Sequence, residues 1–256
     1  MKTTCEAIVI GGGVMGASIL SNLAATGVTN TILLEKSTIG AGSTGRSSGA
    51  IRMHYSTQVN ASLAHESLKV FANFSDLVGG DVGFVNTGYM VFAPPEATQG
   101  FRENISMQQS VGISTREIDH DEAAELAPAF KIAEGEQVAW EKDSGHADPS
   151  ATALAYINHA RACGATIYLD TPVIDIKISE SGSHEVKTEK ACFESNTVII
   201  ATGPWTSGIL EKVGISLPLL PTRHEVFLIK RNQTKLPTHP GGGDMTNLIY
   251  FRPEGH

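Results

Sequence analysis

Three glycines and an acid at fixed spacing carry the first chemical signal in the chain. Gly11, Gly13 and Gly16 follow the apolar run Ala7-Ile8-Val9-Ile10 and open a helical stretch, and Glu35 closes the next apolar run, Thr31-Ile32-Leu33-Leu34. In a strand–turn–helix unit each glycine has a task. Gly11 permits the sharp turn, Gly13 lets the backbone approach a pyrophosphate, and Gly16 lets the helix pack closely on the sheet. The amides at the helix start, at Val14, Met15 and Gly16, and the positive end of the helix dipole would hold phosphate charge. An acid about twenty residues further on can accept both hydroxyls of an adenosine ribose, and its charge would repel a ribose phosphate. The pattern points to the adenosine diphosphate half of a dinucleotide, and so to a redox enzyme. The competing reading is a glycine-rich turn that binds nothing.

A second constellation follows at once. Residues 37–49 are almost entirely Gly, Ser, Thr and Ala around a single cation, Arg46. Glycines and small hydroxyl residues let backbone donors come close to an anion, and arginine supplies a fixed cation with several donors. The competing reading here is a flexible surface loop. The histidines show no HExxH-like spacing, and Cys5, Cys163 and Cys192 form no CxxC, so no metal site is expected.

The elements that must position these residues change in type along the chain. A strand at 7–10, a helix at 14–26 ended by Gly27, and a strand at 31–34 make a βαβ-type start. The spacing of Val59, Leu63, Leu68, Phe71 and Phe74 predicts a helix over 57–78, broken by Gly79-Gly80-Asp81. Residues 83–93 read as a hairpin about Asn86-Thr87-Gly88. Helices are expected over 94–111 and 121–126, a short strand at 138–141, and a helix from Asp148-Pro149 to Gly164. Strands are expected at 166–169, 173–178, 185–188 and 191–194, with a meander among them. A buried parallel strand at 197–201 leads through Thr202-Gly203-Pro204-Trp205 into another helix. Further strands are read at 222–230 and 248–251. The order implies an α/β fold in which a Rossmann-like nucleotide-binding domain (1–80 and 143–214) is interleaved with an antiparallel-sheet α+β substrate domain (81–142 and 215–256).

Bulk properties narrow the function. The 256 residues, 41% apolar and 18% charged, suit a globular protein with one large core or two smaller ones. A formal net charge of -8 disfavours nucleic acid as a partner. No apolar run is long enough to span a bilayer, and the N-terminal one lacks the preceding basic cluster of a secretion signal. Widely spaced cysteines suit reduced thiols and a cytoplasmic protein.

Several separated segments share one resemblance. Gly40-Ala41-Gly42-Ser43-Thr44-Gly45-Arg46-Ser47-Ser48-Gly49-Ala50-Ile51-Arg52 resembles the flavin loop of the FAD-dependent D-amino-acid-oxidase-like (DAO) enzymes, in the branch of sarcosine oxidase β-subunits and glycine oxidases. Asp143-Ser144-Gly145-His146-Ala147-Asp148-Pro149 is similar to the segment that starts that family's central helix. Val198-Ile199-Ile200-Ala201-Thr202-Gly203-Pro204-Trp205 is similar to its second nucleotide-contacting strand and turn. The resemblance implies FAD rather than NAD. Gly11, Gly13 and Gly16 would hold the pyrophosphate and Glu35 the ribose, with Lys36 and the backbone of Val173 beside the adenine. Ser43, Thr44, Arg46, Ser47 and Ser48 would wrap the pyrophosphate, ribityl chain and flavin edge, and Ala201, Gly203 and Trp205 complete the cofactor set. Relatives of the dimethylglycine dehydrogenase type carry the flavin covalently on a histidine where this chain has Arg46, so the FAD is expected to be non-covalent.

The resemblance also implies a reaction: hydride transfer from the carbon beside an amine to flavin N5, leaving an imine that water hydrolyses. A substrate carboxylate calls for a cation, best a guanidinium. Arg52 matches a family position facing the substrate pocket, and Tyr250 and Arg252 lie on a strand resembling the pocket floor; these three are the expected catalytic residues. His54, Tyr55 and His224 are weaker candidates. The expected partner is a small amine or amino acid of the sarcosine or glycine kind. Alternatives within the fold are a dehydrogenase of a 2-hydroxy acid or glycerol phosphate, or a nucleotide-binding remnant without turnover. Family members are longer, and the resemblance breaks off inside the substrate domain. An open sheet edge is therefore expected, with a partner chain or homo-oligomer covering it, or else weakened flavin retention.

Overall fold

In the computed structural model, which describes residues 2–128, 130–180, 182–230 and 239–254, β1 (Lys2–Cys5) and β2 (Ala7–Ile10) precede α1 (Val14–Ala25) and β3 (Thr31–Leu34). The serine- and glycine-rich loop holds one 3-10 turn, Thr44–Arg46. Next come β4 (Ala50–Ile51), α2 (Gln58–Ala72), α3 (Phe74–Leu77), β5 (Tyr89–Ala93), α4 (Thr98–Ser110), β6 (Thr115–Ile118), α5 (His120–Leu126), β7 (Gln137–Glu141) and β8 (Gly145–His146). The chain continues through α6 (Pro149–Ala162), β9 (Thr166–Tyr168), β10 (Val173–Lys177), β11 (His184–Thr188), β12 (Cys192–Ser195), β13 (Val198–Ile200), α7 (Thr206–Leu210), β14 (Gly241–Asp244) and β15 (Ile249–Phe251).

Two units share these elements. One comprises Met1–Ser47, Val78–Val82 and Pro149–Val226; the other Ser48–Leu77, Gly83–Asp148 and Phe227–His256. These bounds differ from the expected 1–80 with 143–214 and 81–142 with 215–256. Residues 48–77 and 143–148 belong to the second unit, and 81–82 and 215–226 to the first. The physical reason is the apolar stripe of α2. Its Ala61 and Leu68 pack with Met53 and Ile113 in a cluster of the second unit.

The first unit is built on a parallel sheet in the order β13-β2-β3-β9. Its central strands carry the apolar runs Ala7–Ile10 and Ile32–Leu34, buried throughout as strands covered on both faces should be. By the two-residue alternation of a strand, Ile8, Ile10, Ile32 and Leu34 face one way. They join Ile176, Val186 and Phe193 of a second four-stranded sheet, β1-β12-β11-β10. Val9 and Leu33 face the other way, on the side where α1 packs against α6. The parallel sheet ends in two three-residue strands, β13 and β9, so each edge offers little unpaired backbone.

The second unit centres on a five-stranded sheet, β15-β14-β5-β7-β6. Alternation sorts β5 cleanly. Tyr89, Val91 and Ala93 pack with Phe101 and Ile105 of α4, while Met90 and Phe92 pack with Ile118, Ala123 and Val138. β14 is Gly241-Gly242-Gly243-Asp244, a poor strand sequence on its own. Its glycines make room for neighbouring rings. A Cβ at Gly242 would lie 2.6 Å from the Phe251 ring, and one at Gly241 would lie 3.0 Å from that of Tyr89.

Two expected elements are absent. Residues 83–93 are no hairpin: Val85 makes only an isolated bridge to His146, and β5 takes its partners from β7 and β14, whose edges are long enough to ladder with it. Residues 222–230 are exposed and form no strand, because an apolar run such as Val226-Phe227-Leu228-Ile229 becomes a strand only where another edge accepts its hydrogen bonds, and none of the described residues supplies one. The 57–78 helix is interrupted at Asn73, which separates α2 from α3.

Gly88, next to β5, has φ +72°, and a Cβ there would fall 1.8 Å from the Trp140 ring. Gly88→Ala should therefore cost about 3 kcal/mol or more through left-handed strain and overpacking. The measurement is the urea midpoint of tryptophan fluorescence, and an unchanged midpoint would contradict this account.

Candidate cofactor and substrate sites

In the first unit the fingerprint forms a backbone cradle. Gly11 has φ +110°, and its amide donates to the Leu34 carbonyl at 2.9 Å. A Cβ on Gly11 would lie 2.4 Å from the Ala201 carbonyl oxygen, and one on Gly16 would lie 1.9 Å from the Gly11 carbonyl oxygen. The helix thus packs on the turn at backbone contact. Gly13 is the N-cap of α1, offers no side-chain cap, and no acid lies in the first turn. The amide end of the helix therefore has no counter-charge of its own. The side chain of Met15 is exposed at the same end.

Glu35 does more than the sequence suggests. One carboxylate oxygen accepts the Gly12 amide at 2.6 Å and the other accepts the Ser37 amide at 2.8 Å. The acid thus fixes the fingerprint to the end of β3. A carboxylate has about four acceptor positions, so each oxygen retains one for a ribose hydroxyl. These observations fit an adenosine diphosphate group: a helix end without counter-charge, positions without Cβ atoms, and a buried acid with spare acceptors.

The loop is stitched to this cradle. The Gly40 amide donates to the Gly12 carbonyl at 2.9 Å, and the Val14 amide donates to Thr44 Oγ1 at 2.9 Å. Ser43 caps the 3-10 turn, and Ser47 ends it. Arg46 turns inward on its own loop, with Nη1 donating to the carbonyls of Ala41 and Gly42 at 2.7 and 3.1 Å. It braces the loop's shape, which the sequence reading did not foresee. Lys36 differs from expectation too: its ammonium stands 3.5 Å from the centre of the Trp205 ring, a cation–π contact. Trp205 in turn lies against Gly42. The Ala201 amide donates to the Ile10 carbonyl, and Gly203 starts the 3-10 turn that carries Trp205. The side chain of Val173 packs on the core between the two sheets and leaves its backbone at the start of β10.

In the second unit Arg52 follows β4 directly. Its Nη1 donates to the His54 carbonyl, and its guanidinium lies 4.5 Å from the Tyr55 ring centre and 6.0 Å from that of Tyr89. Among the described residues no carboxylate lies within ion-pair distance of it. Tyr89 is buried, and burial pushes its hydroxyl up to about 12, with the Arg52 charge pulling partly the other way. It is therefore a protonated donor at neutral pH. Tyr250 is exposed on β15.

Arg252 occupies its donors elsewhere. Nε donates to the Ser48 carbonyl, Nη1 to the Pro253 carbonyl at 2.9 Å, and Nη2 pairs with Glu254 at 2.6 Å. This geometry makes it a tether at the exit of the loop, whereas Arg52 keeps donors free. His224 is exposed, with Nε2 3.3 Å from Thr222 Oγ1. Sequence reasoning missed Tyr89 and Glu141, which stand opposite each other across β5 and β7. An acid closing the apolar strand Val138-Ala139-Trp140 was the available signal.

Among the described residues no helix is long and apolar enough to cross a membrane, and no group of three or more His, Cys, Asp or Glu side chains is placed to hold a metal ion.

Known proteins resemble this chain in sequence and in fold. The chain is 27% identical over 261 residues to the mitochondrial dimethylglycine dehydrogenase of Homo sapiens, which matches 99% of this chain and 30% of that protein. It is 28% identical over 237 residues to the glycine oxidase of Bacillus licheniformis, covering 90% of this chain and 62% of that one. The chain therefore spans less than two thirds of either relative. The crystal structure of L-proline dehydrogenase from P. horikoshii superposes with a TM-score of 0.84 at 26% identity, over 100% of this chain and 68% of that chain. Residues 6–256 match the DAO family, described as FAD dependent oxidoreductase, and the chain belongs to that family.

Proposed function

We propose that the chain serves the oxidation of a small amine or amino acid bearing a carboxylate, of the sarcosine or glycine kind, to an imine. The observation that carries this reading is Arg52: a cation held among tyrosine rings, with no carboxylate of the described chain to neutralise it. Names of the relatives support it. Dimethylglycine, sarcosine, 4-methylaminobutanoate, glycine and L-proline all combine an amine with a carboxylate.

FAD, when bound, supplies a two-electron acceptor for the hydride on the carbon beside the amine. The chain's own residues bind and orient. The α1 amides and Glu35 take the adenosine diphosphate group, and Gly13 leaves the space the pyrophosphate needs. Arg52 takes the substrate carboxylate, and Tyr55 and Tyr89 hold its cation within reach of their ring faces. Tyr89, held protonated, offers an O–H donor on the same side of the sheet. With Arg46 where a covalent attachment would need a histidine, the flavin is held by non-covalent contacts alone. Unpaired Cys5, Cys163 and Cys192 suit a reducing compartment.

Three measurements test the reading. Gly13→Leu should abolish FAD binding while leaving the far-ultraviolet circular dichroism intact, and stoichiometric flavin in the purified variant would sink the cofactor site. Arg52→Ala should weaken a carboxylate ligand about ten- to a hundredfold, the loss of one charge-assisted contact. Its FAD content should not change, and equal losses of ligand and flavin would refute the assigned role. Acid precipitation should leave a yellow supernatant; a yellow pellet would show a covalent flavin.

A further inference from the structure

Glu141 is a carboxylate with almost no solvent exposure at the end of β7, and the proposed function gives it no task. Burying such a charge costs several kcal/mol unless its surroundings compensate. Among the described residues no lysine or arginine lies within ion-pair distance of it. Instead, Oε2 accepts the Met53 amide at 3.0 Å and the Ser144 hydroxyl at 2.8 Å. Oε1 lies 3.5 Å from His54 Nδ1, and both atoms are buried without a closer partner.

The other side of the imidazole sets its proton. Asn104 Nδ2 is 3.2 Å from His54 Nε2, so with that amide donating, Nε2 accepts and the ring proton sits on Nδ1, toward Glu141. All these contacts converge on four consecutive residues. Arg52 donates to the His54 carbonyl, Met53 and His54 are held by Glu141, and the Tyr55 carbonyl accepts from fully buried Gln108 at 3.1 Å. Ordinary strand or helix bonding does not fix this segment, because β4 ends at Ile51 and α2 begins at Gln58.

We infer that Glu141, acting through the Met53 amide and the His54 ring, is the positioning residue that aims the Arg52 guanidinium at a substrate carboxylate. The inference rests on the proposed role of Arg52. It has a sign that separates it from simple electrostatics. As a bare negative charge near Arg52, Glu141 would oppose an anionic ligand, and removing it would tighten binding. As a positioning group it must be present for binding to be strong.

The test uses the FAD-loaded protein and titrates the flavin spectrum with benzoate and with uncharged benzamide. In Glu141→Gln, which keeps the shape and loses the charge, benzoate should bind about tenfold more weakly, a coupling typical of directly contacting groups. Benzamide affinity and flavin content should not move. His54→Phe leaves Glu141 in place and removes its ring partner, and it should lower the benzoate-to-benzamide preference about fivefold; it decides the matter if Glu141→Gln does not fold. Unchanged or tighter benzoate binding in the folded variants would overturn the inference. Arg52→Ala in the same titration distinguishes the levels. If it collapses the preference while the other two variants do not, only the positioning role fails; if it leaves the preference intact, the substrate reading itself fails.

Discussion

A helix that starts at Gly13 without a cap from that residue or an acid in its first turn presents amides with no counter-charge, of which Val14's alone is answered, by Thr44 Oγ1. The first unit is arranged around that unmet charge. Gly11 and Gly16 bring the strand turn and the helix to backbone contact, and Glu35 grips the Gly12 amide so that the turn cannot rotate away. The loop from Gly40 onward is bonded to the same turn through the Gly12 carbonyl and Thr44. Each of these contacts keeps side-chain bulk out of one small volume. The energy for doing so comes from the apolar strands behind, where Ile8, Leu33 and Phe193 are almost fully excluded from water.

The second unit solves a different electrostatic problem. The Arg52 guanidinium stands without a carboxylate at ion-pair distance among the described residues, and in the proposed reading such a partner would compete with the ligand. Tyrosine faces and a backbone carbonyl stabilise Arg52 without discharging it. Arg252 shows the contrast. With carbonyls and Glu254 satisfying it, that arginine is a structural fastening. Two cations that look alike in sequence therefore separate by what surrounds them.

Much of this was legible in the chain, and the limits are physical. The glycine spacing and the run at 31–34 sufficed for the parallel βαβ unit, because local turn chemistry and continuous apolar runs determine it. The family's flavin loop could be recognised because its composition is unusual. Other features depend on distant partners. β14 is invisible in Gly241-Gly242-Gly243 because its reason is the bulk of Tyr89 and Phe251 beside it. The apolar run at 226–229 is a good strand sequence that meets no edge among the described residues. The double use of Glu35, the inward turn of Arg46 and the seat of Lys36 over Trp205 are all side-chain geometry, which residue type alone does not determine. Glu141 is the clearest case: only the pairing of β5 with β7 sets it beside Tyr89.

The contact between Arg252 and the Ser48 carbonyl joins positions 204 apart in the chain. Ser48 is the residue at which the glycine- and serine-rich loop leaves the first unit's segment. During synthesis the Ser48 carbonyl meets Arg252 only once β15 has emerged, whereas its neighbours are held earlier, the Gly49 carbonyl by the Ala147 amide and Ala50 by its pairing with His146 of β8. A ribosome-bound intermediate would therefore secure the loop's exit through β8 first and add the Arg252 contact afterwards.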